Sequence, residues 1–256
     1  MALKKVLLTV AYNGSAYHGY QLQEELPTVS LMLNQAINSA FSVECNVTGC
    51  SRTDAGVHAL GFCVTAEVKD MDDEITVPVD KIPIAVNIKL PPDIAVLSAK
   101  QVDVSFHPRY DAVKKEYVYR IHDSRIKNPF YEGLVLEYGR EISDSGIERM
   151  NLAAQHFLGT HMFDAFMAQG SQIENTERTV YSAQVARNGD VVEFTVSANG
   201  FLYNMVRIMV GTLLQVEGGK LSPDDVPEII SSRKRERAGF TAKPEGLYLK
   251  RIYYNF

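Results

Sequence analysis

The chain lacks any long apolar run. No window approaches the ~18 apolar residues of a membrane span. The stretch from Met1 to Tyr12 carries the basic pair Lys4-Lys5, but its apolar run is too short for a signal peptide, and polar Asn13 follows at once. The expectation is a cytoplasmic protein with no membrane contact. Cysteine is scarce: Cys45, Cys50 and Cys63 are the only three. None forms a C-x-x-C pair, no His–Cys grouping has zinc-ligand spacing, and an odd count argues against a disulfide framework. There is no Gly-Lys-Ser/Thr loop to cradle a phosphate. Neither pattern therefore offers a zinc site or a phosphate-binding loop. Positive charge is also in deficit: 26 Lys and Arg against 31 Asp and Glu give a net charge of -5. Phosphate contacts need cations, so this sum counts against a nucleic-acid partner. The local field decides, however, and one basic cleft is compatible with an acidic total.

What is present suits a globular protein able to bury a sizeable core: 256 residues, 46% of them hydrophobic and 22% charged. Residues 4–12 alternate as a strand. Thr28 can cap a helix in which Val29, Met32, Leu33, Ala36, Ile37 and Ala40 share one face. Strands are expected at 45–50 and 58–67, a short helix at 78–88 and a strand at 93–102. The order then recurs. A strand runs from Val113 to Ile121, and a helix over 142–158 is stopped by Gly159. Strands at 178–186 and 191–198 are joined by Asn188-Gly189, which suits a type I′ turn. A helix over 201–217 is ended by Gly218-Gly219. Ser222-Pro223 opens a further helix, with Ser as cap and Pro at the first position, and 246–254 is a last strand.

This order predicts an α+β protein of two halves, 1–105 and 106–256, each with a mainly antiparallel sheet covered by helices on one face. Two such sheets side by side leave a cleft at their junction, a common place for chemistry.

The densest chemical signal is Gly49-Cys50-Ser51-Arg52-Thr53-Asp54-Ala55-Gly56-Val57-His58-Ala59, between two expected strands. A carboxylate near an arginine stays ionised and can act as nucleophile or base. Physics alone favours a plain turn in which Arg52 and Asp54 pair, since turns rich in Gly, Asp and Ser are common.

The segment resembles the signature loop of the TruA-type tRNA pseudouridine synthases, whose core is Arg-Thr-Asp-Ala-Gly-Val-His. The resemblance extends to Tyr12-Asn13-Gly14, Gly19 to Gln23, Thr28-Val29, Phe106-His107-Pro108-Arg109, Lys115 to Tyr119, Gly159-Thr160-His161, Gly200 to Arg207 with Gly211, and Gly246 to Leu249. It implies a pseudouridine synthase fold: two ferredoxin-like or RRM-like halves form one extended sheet around a central active-site cleft. It implies isomerisation of uridine to pseudouridine in the tRNA anticodon stem-loop, at positions 38–40, by a homodimer without cofactor. Carried over, Asp54 is the catalytic carboxylate, Arg52 assists flipping of the nucleotide, Tyr117 stacks on the base, and Arg207 pairs with Asp54. Leu247 is an apolar wall. Tyr119 shares the face of Tyr117, so period two alone does not choose between them.

For the RNA backbone the candidates are Arg109, Lys114, Lys115, Arg178 and the run Arg233-Lys234-Arg235 with Arg237. His58 and His107 receive no chemical role. Tyr20, Ser30, Asn204 and Lys243-Pro244-Glu245 depart from the family pattern. Three other readings stay open: a synthase paralogue with a different tRNA target, a non-catalytic RNA-binding protein or RNA chaperone of the same fold, and a two-carboxylate hydrolase, which needs a second acid near Asp54.

Overall fold

Alternating apolar residues put Lys5–Tyr12 into β1, and five further helices and strands follow it in the first set. They are α1 (Val29–Phe41), β2 (Cys45–Gly49), β3 (His58–Val68), α2 (Ile82–Asn87) and β4 (Ile94–Gln101). This is a computed structural model; it describes residues 2–170 and 173–256. The second set is β5 (Ala112–His122), β6 (Leu136–Glu137), α3 (Asp144–Gln155), β7 (Gly159–Met162), β8 (Glu177–Asn188), β9 (Val191–Ala198), α4 (Met205–Glu217), α5 (Asp225–Ser232) and β10 (Leu247–Tyr254). The chain is α+β, with mostly antiparallel strand pairing.

Two compact units are present: Met1–Val113 with Tyr248–Phe256, and Lys114–Leu247. The boundary expected at 105/106 lies a few residues earlier, and the last strand joins the first unit. Both differences share a cause. A strand's sequence says that it is a strand, not which neighbour it pairs with.

In the first unit β1 pairs antiparallel with β3 on one side and with β4 on the other, and β2 pairs antiparallel with β3. The order β4-β1-β3-β2 with connectivity β-α-β-β-α-β is the expected ferredoxin-like half. Thr28 caps α1 as expected, its hydroxyl accepting from Leu31 N at 3.3 Å. α1 buries Val29, Leu33, Ala36, Ile37 and Phe41 and packs on α2. The short helix expected at 78–88 is a 3-10 turn at Val79–Lys81 running into α2. β10 adds to the start of β3 in parallel, Tyr248 opposite His58 and Leu249 opposite Ala59.

In the second unit the strands run β5-β9-β8-β7, all antiparallel, and β6 lies parallel to the end of β5. α3 and α4 pack together, and α3 also lies on β8. Several boundaries differ from the sequence reading. α3 spans 144–155 and is closed by His156, not by Gly159, which instead begins β7. α4 starts at Met205, because Asn204 is left-handed at φ 59° and residues 201–204 are loop. α5 starts at Asp225, so Ser222 and Pro223 belong to the turn before it. Asn188 pairs with Val191, so the β8–β9 turn residues are Gly189 and Asp190. Only Gly189 has a positive φ, 64°, which excludes the expected type I′ and suits a glycine-first type II′ turn.

Candidate active site

Asp54 sits in the loop between β2 and β3. Its side chain is half-buried, Thr53 before it is buried, and Arg52 is exposed. The loop is held mainly by the segment that follows β1. The Thr53 carbonyl accepts from Tyr20 N at 3.1 Å, and the Tyr17 carbonyl accepts from Gly56 N at 3.3 Å. The Thr53 hydroxyl bonds the Tyr12 phenol at 2.8 Å, and His58 Nδ1 accepts from Gly14 N at 3.0 Å. Within the loop Val57 N donates to the Asp54 carbonyl at 3.2 Å.

Two glycines make this closeness possible. A methyl at Gly14 would lie 2.0 Å from the Val57 carbonyl oxygen. Gly19 has φ +89°, and a methyl there would lie 2.5 Å from the Thr53 carbonyl oxygen. The motif Tyr12-Asn13-Gly14 and Gly19-Tyr20 therefore has a mechanical purpose: it clamps the backbone on both sides of Asp54. Below the clamp, Tyr20 stacks on Phe62 with ring centroids 4.4 Å apart, and the His58 ring stacks on Tyr248 at 4.5 Å. Burial raises the Tyr20 phenol above the ordinary tyrosine pKa range. His58 is thus a structural residue.

Among the described residues Arg52 makes no ion pair, and none joins it to Asp54. The plain turn pair left open by the sequence is not what the loop contains. An exposed, unpaired guanidinium costs little to remove, so Arg52→Ala is expected to leave the unfolding free energy within about 0.5 kcal/mol. It is expected to reduce turnover on RNA at the same time. Thermal melting and a single-turnover assay, run side by side, check this. A melting point that falls with activity would mean that Arg52 serves the fold.

In the second unit Tyr117 lies on β5 opposite Val196 and meets the Phe201 ring edge-on at 5.0 Å. It is 7% exposed, whereas Tyr119 is fully buried. Tyr119 donates its hydroxyl to the Lys243 carbonyl at 2.7 Å, and burial drives its pKa up beyond the ordinary range. Its phenol is committed to the fold. Arg207 lies in the first turn of α4. Its Nε donates to the Ala242 carbonyl at 2.7 Å and one terminal nitrogen to Asn204 Oδ1 at 2.6 Å. The left-handed Asn204 at the start of α4 is what brings its amide to the guanidinium. Leu247 is buried at the start of β10.

The proposed backbone cations fare unequally. Arg109 is exposed in the 103–111 turn of the first unit, and Lys114 and Lys115 are half-buried on β5. Arg178, on β8, gives one nitrogen to the Asn175 carbonyl at 3.0 Å and to the Glu177 carbonyl at 2.5 Å, and partial burial lowers its pKa. Three cations of the 233–237 run serve the fold instead of a solvated basic face. Arg233 forks onto Asp164 at 2.9 and 3.2 Å. Arg235 donates to the Gly239 carbonyl at 2.8 Å and the Thr241 hydroxyl at 3.2 Å. Arg237 pairs with Glu228 at 3.4 Å. Among the described residues no three His, Cys, Asp or Glu side chains converge as a metal-holding group, and no helix is long and apolar enough to cross a membrane.

Comparison with known proteins gives the family. The model of the tRNA pseudouridine synthase family matches residues 8–111 and 153–255. Those stretches contain Arg52, Asp54, Arg109, Arg178, Arg207 and Leu247; Lys114, Lys115 and Tyr117 lie between them. The chain is an enzyme of the RNA uridine isomerase class. A protein named tRNA pseudouridine synthase A from Thermoanaerobacter sp. (strain X514) is 42% identical over 252 residues, 98% of this chain and 100% of its own. Proteins of the same name from Acetivibrio thermocellus and Staphylococcus saprophyticus are 40% and 37% identical, over 98% and 97% of this chain and 100% and 90% of their own. The chain belongs to the tRNA pseudouridine synthase family.

Proposed function

We propose that the chain isomerises uridine to pseudouridine in the anticodon stem-loop of tRNA, at positions 38–40, with Asp54 as the catalytic carboxylate. In the net reaction the bond from N1 to the ribose breaks, a bond from C5 to the ribose forms, and the C5 proton ends on N1. Nothing is added or lost. A carboxylate in its ionised form is the group such a reaction asks for, whether it attacks the ribose, attacks the base ring or removes a ribose proton. The observation that carries this reading is the Asp54 loop itself. Its backbone is clamped on both sides, its carboxylate is half-buried, and its arginine neighbour has no ion pair among the described residues.

The remaining roles follow the chemistry of each side chain. Arg52 holds the flipped nucleotide by stacking or by forking onto a phosphate, offsetting a flipping cost of a few kcal/mol. Tyr117 covers the uracil, and base–aromatic stacking is worth roughly 1–3 kcal/mol. Its near neighbour Tyr119 is unsuited, since its hydroxyl is tied to Lys243. Arg207 pairs with Asp54 and keeps it ionised. A guanidinium among Val206, Ile208 and Met209 is costly without such a partner. Leu247 is an apolar wall, and Arg109, Lys114, Lys115 and Arg178 meet the backbone. The enzyme works without a cofactor, in the cytoplasm, as a homodimer that offers one RNA more basic surface than an acidic monomer does. A monomer by light scattering at micromolar concentration would remove the dimer from this picture.

Mapping pseudouridines in total RNA from cells lacking the protein tests the reading. Loss confined to uridines 38–40 of tRNA is expected. Loss at other tRNA uridines would keep the reaction and overturn the target. An unchanged map, together with tRNA binding by the purified chain, would favour the non-catalytic RNA-binding reading.

A further inference from the structure

The turn between β4 and β5 presents aromatic rings to solvent on a backbone that is tied down at nearly every residue. Asp103 Oδ1 accepts from Ser105 N at 2.9 Å and from its hydroxyl at 2.7 Å, and the Asp103 carbonyl accepts from Phe106 N at 3.0 Å. Asp111 Oδ2 accepts from His107 N at 2.8 Å, and the His107 carbonyl accepts from Asp111 N at 3.1 Å. His107 Nδ1 accepts from Arg109 N at 3.1 Å and, more loosely, from Tyr110 N at 3.4 Å, which leaves the ring proton on Nε2. The Tyr254 phenol donates to the Pro108 carbonyl at 2.7 Å. His107 thus has a reason to be there: it shapes the turn.

On this frame Tyr110 is 75% exposed. One side of its ring lies against the His107 ring, 4.3 Å between centroids, and the Arg109 guanidinium stands 5.8 Å from its centroid. A second ring–cation pair adjoins the same turn. Phe256, 66% exposed, has Lys100 Nζ 3.5 Å over its ring. Phe106, in the same turn, packs beside this second pair, with centroids 5.1 Å from Tyr254 and 5.8 Å from Phe256. Among the described residues neither Arg109 nor Lys100 has a carboxylate partner, and the two acids of the turn are spent on backbone N–H groups.

A single exposed aromatic needs no explanation. A rigidly held one, backed by a second ring, with the Arg109 guanidinium beside it and Lys100 on the adjoining ring, has the composition of a stacking platform for an unpaired nucleotide. Its backbone is already ordered, so binding loses little entropy. We propose that Tyr110, braced by His107, stacks on an unpaired base of the RNA outside the reacting position, while Arg109 and Lys100 receive the adjoining phosphates. The inference rests on the enzyme's substrate being RNA and names a binding site apart from the Asp54 loop.

The test is the affinity of the full chain for an unmodified tRNA transcript, measured at several salt concentrations. Tyr110→Ala is expected to raise Kd about tenfold, within the range of base–aromatic stacking. Tyr110→Phe and Tyr110→Trp are expected to keep it within about twofold, since each retains a π-face. Stacking releases no counterions, so Tyr110→Ala leaves the slope of log Kd against log salt unchanged, whereas Arg109→Gln lowers its magnitude by about one. The side chain is exposed, so the melting temperature stays that of the wild type. An unchanged Kd for Tyr110→Ala overturns the proposal. So does an unchanged Kd with weakened self-association, which would make the platform a contact between copies of the chain. Turnover is not the readout, so a wrong target position for the Asp54 site leaves this result standing. Failure of the wild-type chain to bind tRNA at all would sink both.

Discussion

Replacing Asp54 by Asn is expected to abolish pseudouridine formation on unmodified tRNA, with a loss on the order of 10³-fold or more. The substitution keeps size and polarity and removes only the charge and the basic oxygen. The clamp around the loop is made by the backbone of Thr53, Gly56 and Gly14, by the Thr53 hydroxyl and by His58, so none of it depends on the Asp54 side chain. The loop is therefore expected to keep its place and the tRNA affinity to stay near that of the wild type, while loss of the charge proposed to pair with Arg207 lowers the melting temperature. Two readouts separate the outcomes. Liquid chromatography of digested tRNA counts pseudouridine, and a binding titration reports whether the RNA still docks. Full activity in Asp54→Asn would remove Asp54 from the chemistry. Release of free uracil by the wild type would replace isomerisation by hydrolysis.

Gly211→Ala is expected to be the most damaging small change in the second unit. α4 crosses the segment from Gly239 to Ala242 so closely that a methyl at Gly211 would lie 1.8 Å from the Phe240 carbonyl oxygen. The opposing atom is backbone, so relief requires the whole segment to move. Three bonds would stretch or break with it: Gly239 N to the Thr212 hydroxyl at 2.9 Å, Ala242 N to the Arg207 carbonyl at 3.1 Å, and Arg207 Nε to the Ala242 carbonyl at 2.7 Å. Overpacking of this kind costs about 1–3 kcal/mol, and each broken buried bond adds of order 1 kcal/mol. A loss of roughly 3–5 kcal/mol is expected, together with misplacement of Arg207. Urea unfolding gives the first quantity. Turnover on tRNA, set against the loss of stability, gives the second on the role proposed for Arg207. A midpoint equal to the wild type would mean that the crossing has room to spare.

Much of this was legible because it is local. The Thr28 cap and the apolar face of α1 lie within a few residues of each other; the cap stands as read, and of the face Val29, Leu33, Ala36 and Ile37 are buried while Met32 and Ala40 are half-buried. The β-α-β-β-α-β order of the first unit follows from successive local patterns. The Asp54 loop was found because seven adjacent residues carry its signature. What escaped is non-local. β7 is four residues long, lacks alternation, and exists only through its pairing with β8. The apolar pattern runs back to Leu202, yet α4 waits for Met205, since the Tyr203 carbonyl is drawn off to Ala168 N at 3.1 Å. The 233–237 run reads as a basic patch until Asp164, distant in sequence, and Glu228, nine residues before Arg237, are found beside it. The purpose of Gly14 and Gly19 also needs the partner loop to be seen. Sequence gave the clamp as a motif, and only its distances explain it.

The position of β10 sets an order of events during synthesis. The start of β3, which leads out of the Asp54 loop, is covered by Tyr248 and Leu249, and the His58 ring rests on Tyr248. All of Lys114–Leu247 is translated between these partners. At ordinary ribosome speeds that interval is on the order of ten seconds. During it the first unit holds an unpaired stretch of strand beside the loop of the proposed carboxylate, the kind of edge that invites wrong pairing. The nascent chain thus makes its proposed carboxylate early and acquires the support beneath it last, so newly made enzyme can become competent only after the ribosome has finished the final strand.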